Sequence, residues 1–366
     1  MWRKISAGWL GLALYGRQLA SLTVRQLPAR SIRFVIALAV IANLPVRAAT
    51  LERFEAVEPH MGTLFHIELY ADSQAAAARA FQAAFARIRE LDLIFSDYDP
   101  ASEAMRLCRD SQGKAIRVSP ELLSVLQAAE QLSSWSDGAF DVTAAPAIRL
   151  WRAARKTRIL PSREALEKAQ AGRTWRDVKL DAMESNVTLQ TGMLLDFGAI
   201  AKGYAADEAL EVIRKQGIRS ALVAASGDIA VGDAPPGKQA WRVGLDWPHS
   251  AYDDRPQVLW LKNAAVSTSG DTEQFVEIGG TRYSHIIDAR SLQAMTRRAM
   301  VSVIAKRGLD ADPLATTLSI LEPEAGLKLL KERYAGSAAL ITVTNGGKTT
   351  RMRSVNWPLD RAPEER

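Results

Sequence analysis

Three stretches of this 366-residue chain concentrate side chains able to hold an anion or a metal ion. The densest runs Asp196-Phe197-Gly198-Ala199-Ile200-Ala201-Lys202-Gly203-Tyr204-Ala205-Ala206-Asp207. Small residues at the mouth of a helix let backbone and ligand approach closely, and the unpaired N–H groups there attract negative charge. Lys202, one turn in, is placed to reach a phosphate, and Asp196 to accept hydrogen bonds from a sugar or a ring. The same residues also suit a tightly packed strand-to-helix junction, because glycines at element ends are common.

The second stretch is Asp310-Ala311-Asp312-Pro313-Leu314-Ala315-Thr316. Asp312 and Thr316 lie four apart, so on a helix they share a face. A carboxylate with a hydroxyl or carbonyl oxygen suits Mg²⁺, a hard cation that shares its ligands with substrate phosphates. The competing reading is an N-cap aspartate beside a buried threonine. The third stretch is Ser267-Thr268-Ser269-Gly270-Asp271-Thr272-Glu273, followed by Tyr283-Ser284-His285-Ile286-Ile287-Asp288. It reads as a polar turn between strands, either binding a ligand or simply solvated. His285 is a general base, a ligand-contacting side chain or a structural histidine. His60, His66 and His249 have no comparable surroundings and read as structural. Histidine spacing does not support zinc, and the single Cys108 excludes an intramolecular disulfide and Cys-based zinc or iron–sulfur sites.

These residues need elements to position them, and the pattern supplies both kinds without strict alternation. Thr63–Leu69 alternates as a strand. Helices are expected from Ser73 to about Phe95, from Ser119-Pro120 to a stop before Gly138, and from Ser162 to Ala171 with Gly172 after it. Val187–Leu195 reads as a hairpin around Thr191-Gly192, and Gly198–Gln216 as a helix stopped by Gly217. Strands follow at Ser220–Ala225, Trp241–Leu245 and Val258–Leu261. Glu273–Ile278 and Thr281–Ile287 pair around Gly279-Gly280. A strand (Met300–Ala305), two helices (about Ala311–Leu321 and Pro323–Tyr334) and a hairpin around Asn345-Gly346-Gly347 close the chain. The arrangement is α+β or mixed α/β, without G-x-G-x-x-G or a P-loop, so any nucleotide site is built another way.

The basic balance does not belong to the folded part. Of 47 Lys/Arg, seven lie in residues 1–49, which hold no acid; 40 bases then face 41 acids. A nucleic-acid binder keeps its positive surface in the folded domain, so nucleic acid is excluded as a partner. Arg30 and Arg33 precede an apolar run from Phe34 to Leu44, and Val46-Arg47-Ala48-Ala49 offers a cleavage point. Residues 1–49 therefore read as a signal peptide or an N-terminal anchor.

Taken together and in this order, the segments resemble the FAD:protein FMN transferase family, the ApbE-type flavin transferases, from about Met61 to Leu321. The resemblance rests on Met61-Gly62-Thr63, Ser96-x-Tyr98, Ser102-Glu103, Gly138-Ala139-Phe140-Asp141, the long Asp196–Ala205 motif, Ser267–Asp271, His285–Asp288 and Asp312-x-x-Ala315-Thr316. It implies an α+β fold with an FAD cleft and Mg²⁺ near the FAD pyrophosphate. The activity implied is covalent flavinylation: transfer of FMN from FAD to a Ser/Thr hydroxyl of an acceptor protein, releasing AMP. By motif position Met61, Tyr98, Ala139, Phe140, Asp141, Asp196, Lys202 and His285 are the expected FAD contacts. Asp312, Thr316 and the backbone carbonyl of Ala199 are the expected metal ligands, and His285 is the candidate base. The implied partner carries a Ser/Thr-containing flavinylation motif and is a membrane-associated redox subunit met in the periplasm.

The expected organisation is a leader (1–49), a flavin transferase domain (50–345) and a C-terminal hairpin end and tail (346–366). Four departures from the family pattern stand out. Cys108 replaces an Asn, Ser226 a second glycine, Ala289 and Ser291-Leu292 a Pro and a Thr-Gly, and Pro313 an Ala. Proline is tolerated in a first helical turn, so Asp312 is expected to cap the helix there. Two other functions fit the same motifs: an FAD pyrophosphatase giving FMN and AMP, and a non-enzymatic flavin-binding accessory protein for assembling a respiratory reductase.

Overall fold

The computed structural model describes residues 50–245, 257–270, 274–345 and 347–358, so the leader, His249, Asp271 and Glu273 lie outside the described residues. Eight strands form the main sheet. They are β1 (Glu52–His60), β2 (Thr63–Ala71), β3 (Ala221–Ala225), β4 (Asp228–Val231), β5 (Ala264–Gly270), β6 (Arg298–Ala305), β7 (Ala338–Asn345) and β8 (Lys348–Arg353). Their order in space is their order in the chain, and every neighbouring pair is antiparallel. A meander of this kind can present its two faces to different neighbours.

Side-chain alternation divides those faces. Phe65, Ile67, Leu69, Val223, Val301, Val303 and Ile341 enter the main core, where α1 (Gln74–Phe95), α6 (Ala201–Lys215) and α7 (Gly308–Ile320) pack on the sheet and α3 (Pro120–Trp135) packs on α1 and α7. Val231, Val266 and Leu340 point the other way, into a second core closed by the antiparallel pair Trp241–Leu245 and Gln257–Leu261. Trp357 joins this second core, so the chain beyond β8 is also built in. The remaining helices are α2 (Glu103–Asp110), α4 (Ala145–Thr157), α5 (Arg163–Gln170) and α8 (Pro323–Arg333). No helix among the described residues is long and apolar enough to cross a membrane.

Local signals explain the helix ends. Ser73, Ser119 and Ser162 each accept a backbone N–H from the first turn of α1, α3 and α5, relieving one unpaired donor each. α6 and α7 cross where two glycines meet. A Cβ on Gly203 would lie 2.2 Å from the carbonyl oxygen of Gly308, so only glycine allows the contact. Asp207 of α6 accepts from Gly308 N at 2.7 Å and Leu309 N at 2.9 Å, capping α7 from its neighbour.

Four sequence expectations are corrected. Val187–Leu195 is not a hairpin: only Asn186–Thr188 is a strand, and it pairs with Ala115–Arg117 and Lys179–Asp181. α6 begins at Ala201 rather than Gly198, leaving Gly198–Ile200 as a turn. α7 begins at Gly308, so Asp312 does not cap it and Pro313 lies inside the helix. Ser267–Gly270 is not a loop but half of the central strand β5, its hydroxyls held by neighbours across the sheet and from α7.

Candidate active site

One cleft of about 960 Å³ has a wall that includes all eleven residues expected to contact FAD or the metal. Met61 stands at the β1–β2 turn, with its N–H donating to Asp92 of α1 at 3.3 Å. Tyr98 follows the end of α1 and is 77 % exposed, leaving its ring open to a planar ligand. Ala139, Phe140 and Asp141 come from the loop after α3. The Asp141 carboxylate is largely committed to the fold: it accepts from Thr143 N and Oγ1 (2.8 and 2.7 Å) and from Trp175 N (3.0 Å). His285 lies after the Phe275–Ser284 hairpin and donates through Nδ1 to the carbonyl of Gln274 at 3.1 Å. In the neutral ring this leaves the lone pair on Nε2.

Asp196 sits at the end of an extended run entering α6. Its Oδ1 accepts from Gly198 N at 2.9 Å, which shapes the turn, and its Oδ2 accepts from Arg152 of α4 at 2.6 Å. Arg152 also pairs with Asp97 and stacks over the Tyr98 ring, 5.0 Å from its centre. Burial raises the Asp196 pKa, against the pull of Arg152. This cluster ties the Tyr98 loop, α4 and the α6 turn into one wall.

The deepest part of the site is charged. Lys202, in the first turn of α6, donates to the Gly198 carbonyl at 2.9 Å and lies 3.2 Å from Asp228 and 3.6 Å from Asp312. Burial disfavours its charge, but Asp228 and Asp312 outweigh that effect and hold its pKa above the ordinary value. Asp312 Oδ2 accepts from Gly203 N at 3.0 Å, made reachable by the glycine crossing. Burial, and next the charge of Asp228, push the Asp312 carboxyl up to about 7, opposed by Lys202. One turn on, Thr316 Oγ1 lies 3.2 Å from Ser269 Oγ of β5.

These donors fit a hard divalent cation. Two buried carboxylates face a single ammonium, so the floor holds excess negative charge, and the other donors there are hydroxyl and carbonyl oxygens. Mg²⁺ accepts such oxygens and completes its shell with water and substrate phosphate. Among the described residues no group of three His, Cys, Asp or Glu side chains offers a fuller cage.

A model of the ApbE family matches residues 61–341 of the chain. The chain belongs to the ApbE family. An FAD:protein FMN transferase of Treponema pallidum is 31 % identical over 308 residues, covering 80 % of this chain and 85 % of that protein. One of Klebsiella pneumoniae is 30 % identical over 285 residues, covering 77 % and 87 %. Among solved structures, the apo flavinyl transferase ApbE of Pseudomonas stutzeri superposes with a TM-score of 0.73 at 28 % identity, covering 85 % of this chain and 97 % of that one. The flavin transferase ApbE of Vibrio cholerae does so with a TM-score of 0.73 at 25 % identity, covering 83 % and 98 %.

Three residues of this ApbE-family site carried no signal of their own in the sequence: Asp97, Arg152 and Asp228. Asp97 sits between the two motif residues Ser96 and Tyr98, and Asp228 directly follows Ser226-Gly227, so motif adjacency is the clue that points to them. Arg152 is one of several arginines on α4, and only the tertiary pairing with Asp196 distinguishes it. Ser102 and Glu103 prove structural: Ser102 caps α2, and Glu103 accepts the N–H of Ser119 at 2.6 Å.

Proposed function

We propose that this chain transfers FMN from FAD to a Ser/Thr hydroxyl of an acceptor protein, releasing AMP, with Mg²⁺ at Asp312, Thr316 and the Ala199 carbonyl. The observation carrying this reading is the convergence of the lysine turn, the Asp312–Thr316 face and His285 on one cleft in an ApbE-family fold. Lys202 would hold the phosphates of FAD, because the N–H groups of Gly198, Ile200, Ala201 and Gly203 beside it are already bonded within the protein. Tyr98, Met61 and the Ala139–Asp141 loop would bracket its ring systems, and Asp196, fixed by Arg152 and Gly198 N, would orient one of them.

When bound, Mg²⁺ supplies charge stabilisation at the phosphate oxygens as the bond to AMP breaks. The acceptor hydroxyl attacks the phosphorus on the riboflavin side, its proton passes to Nε2 of His285, and AMP leaves. The basic, apolar leader supports export, and the acceptor is then a membrane-associated redox protein met in the periplasm.

Replacing Asp312 by Ala tests the metal assignment. The expected result is loss of Mg²⁺-dependent transfer by at least about a hundredfold, because a buried ligand carboxylate is removed. Mg²⁺-dependent turnover at the native rate would overturn it.

A further inference from the structure

Asp228 belongs to neither the FAD set nor the metal set, yet it is 5 % exposed and held in place. It opens β4 directly opposite Ser267 of β5, whose hydroxyl donates to its Oδ1. That bond leaves Oδ2 facing the Lys202 ammonium at 3.2 Å. Lys202 has a second carboxylate within reach, Asp312, at 3.6 Å. Both carboxylates are buried, where attraction between opposite charges is strong and least screened. Without Asp228 the ammonium would have a single carboxylate to pair with, the one assigned to the metal. A divalent cation would then compete with a tethered cation for its own ligand.

We propose that Asp228 is a positioning residue: it draws the Lys202 ammonium away from Asp312 and so keeps that carboxylate open to the divalent cation. The charge balance follows. Asp228 offsets the charge of Lys202, so the ammonium is not balanced by Asp312 alone. This inference rests on the reading of Asp312 as a metal ligand.

The test uses Mn²⁺ alone as the probe, titrated against the FAD-free full chain and followed by the electron paramagnetic resonance of the free ion. Asp228→Asn keeps an acceptor for Ser267 but removes the charge. It is expected to weaken Mn²⁺ binding by at least about tenfold, in the range found for residues that support metal ligands. Asp228→Asn combined with Lys202→Met is expected to bind within about threefold of Lys202→Met alone, because the competing ammonium is gone. Unchanged affinity in Asp228→Asn overturns the proposal. So does a double variant that stays as weak as Asp228→Asn, which would make Asp228 a ligand in its own right. Thermal unfolding checks that each variant folds, and Asp228→Ser replaces an Asn variant that does not. A wild-type chain that binds no Mn²⁺ with or without FAD would instead defeat the metal reading beneath it.

Discussion

At the residue scale, two side chains separate chemistry from architecture. His285 is oriented by the Gln274 carbonyl, which takes the Nδ1 proton and makes Nε2 the basic nitrogen of the neutral ring. His285→Ala is therefore expected to bind FAD normally and to slow transfer at saturation by ~10²–10⁴-fold, the usual contribution of a general base. An unchanged saturated rate with weakened FAD binding, measured by flavin fluorescence titration, would make it a binding residue instead. Ser226 is different. It is the first residue of the two-residue turn between β3 and β4 and has φ 58°, a region glycine enters freely and other residues enter at a cost of about 1 kcal/mol. Ser226→Gly should raise the Tm by about 2 °C; an unchanged or lower Tm in a calorimetric scan would show that the turn bears no strain. Motif residues such as Lys202 and Asp312 were legible because their types and spacing are unusual. Asp97, Arg152 and Asp228 were not, because an ordinary charged residue acquires its role only from the partner that folding brings to it.

At the element scale, the helices were legible where a capping side chain marks their start, as at Ser73, Ser119 and Ser162. The strands were less so. β1 is studded with Glu and Arg because it is an edge strand with much of its surface exposed, and β5 carries hydroxyls that read as loop until Asp228, Ser302 and Thr316 engage them. Helix α7 was displaced for a related reason: its first turn is capped by Asp207 of another helix, and such a cap leaves no local signature. The consequence is Pro313 inside α7, without an N–H for the carbonyl of Leu309. Pro313→Ala restores that bond and should stabilise the fold by about 2 kcal/mol. A lower midpoint in urea would show that the proline ring contributes packing that outweighs the missing bond.

At the scale of the whole molecule, the meander gives the site its construction. One face of the sheet is closed by the strand pair Trp241–Leu245 and Gln257–Leu261, from which Gly244 and Leu245 also reach the cleft wall. The other carries α6 and α7 at a glycine crossing that brings Lys202 and Asp312 together with Asp228 and Ser269 of the sheet. The opposite wall, from Tyr98 through α4 to His285, is joined to them through Arg152 and Asp196. The α+β class was legible from mixed periodicity, whereas the sequential order of the strands was not, because long helical insertions separate strands that lie side by side. The measurement closest to the central claim is transfer itself. The chain is incubated with FAD, Mg²⁺ and a protein bearing a Ser/Thr acceptor motif, then resolved by denaturing electrophoresis with AMP assayed alongside. A flavin-fluorescent acceptor band that accumulates with AMP and disappears with EDTA is the expected result. AMP formed with no labelled acceptor, or a band indifferent to EDTA, would contradict it.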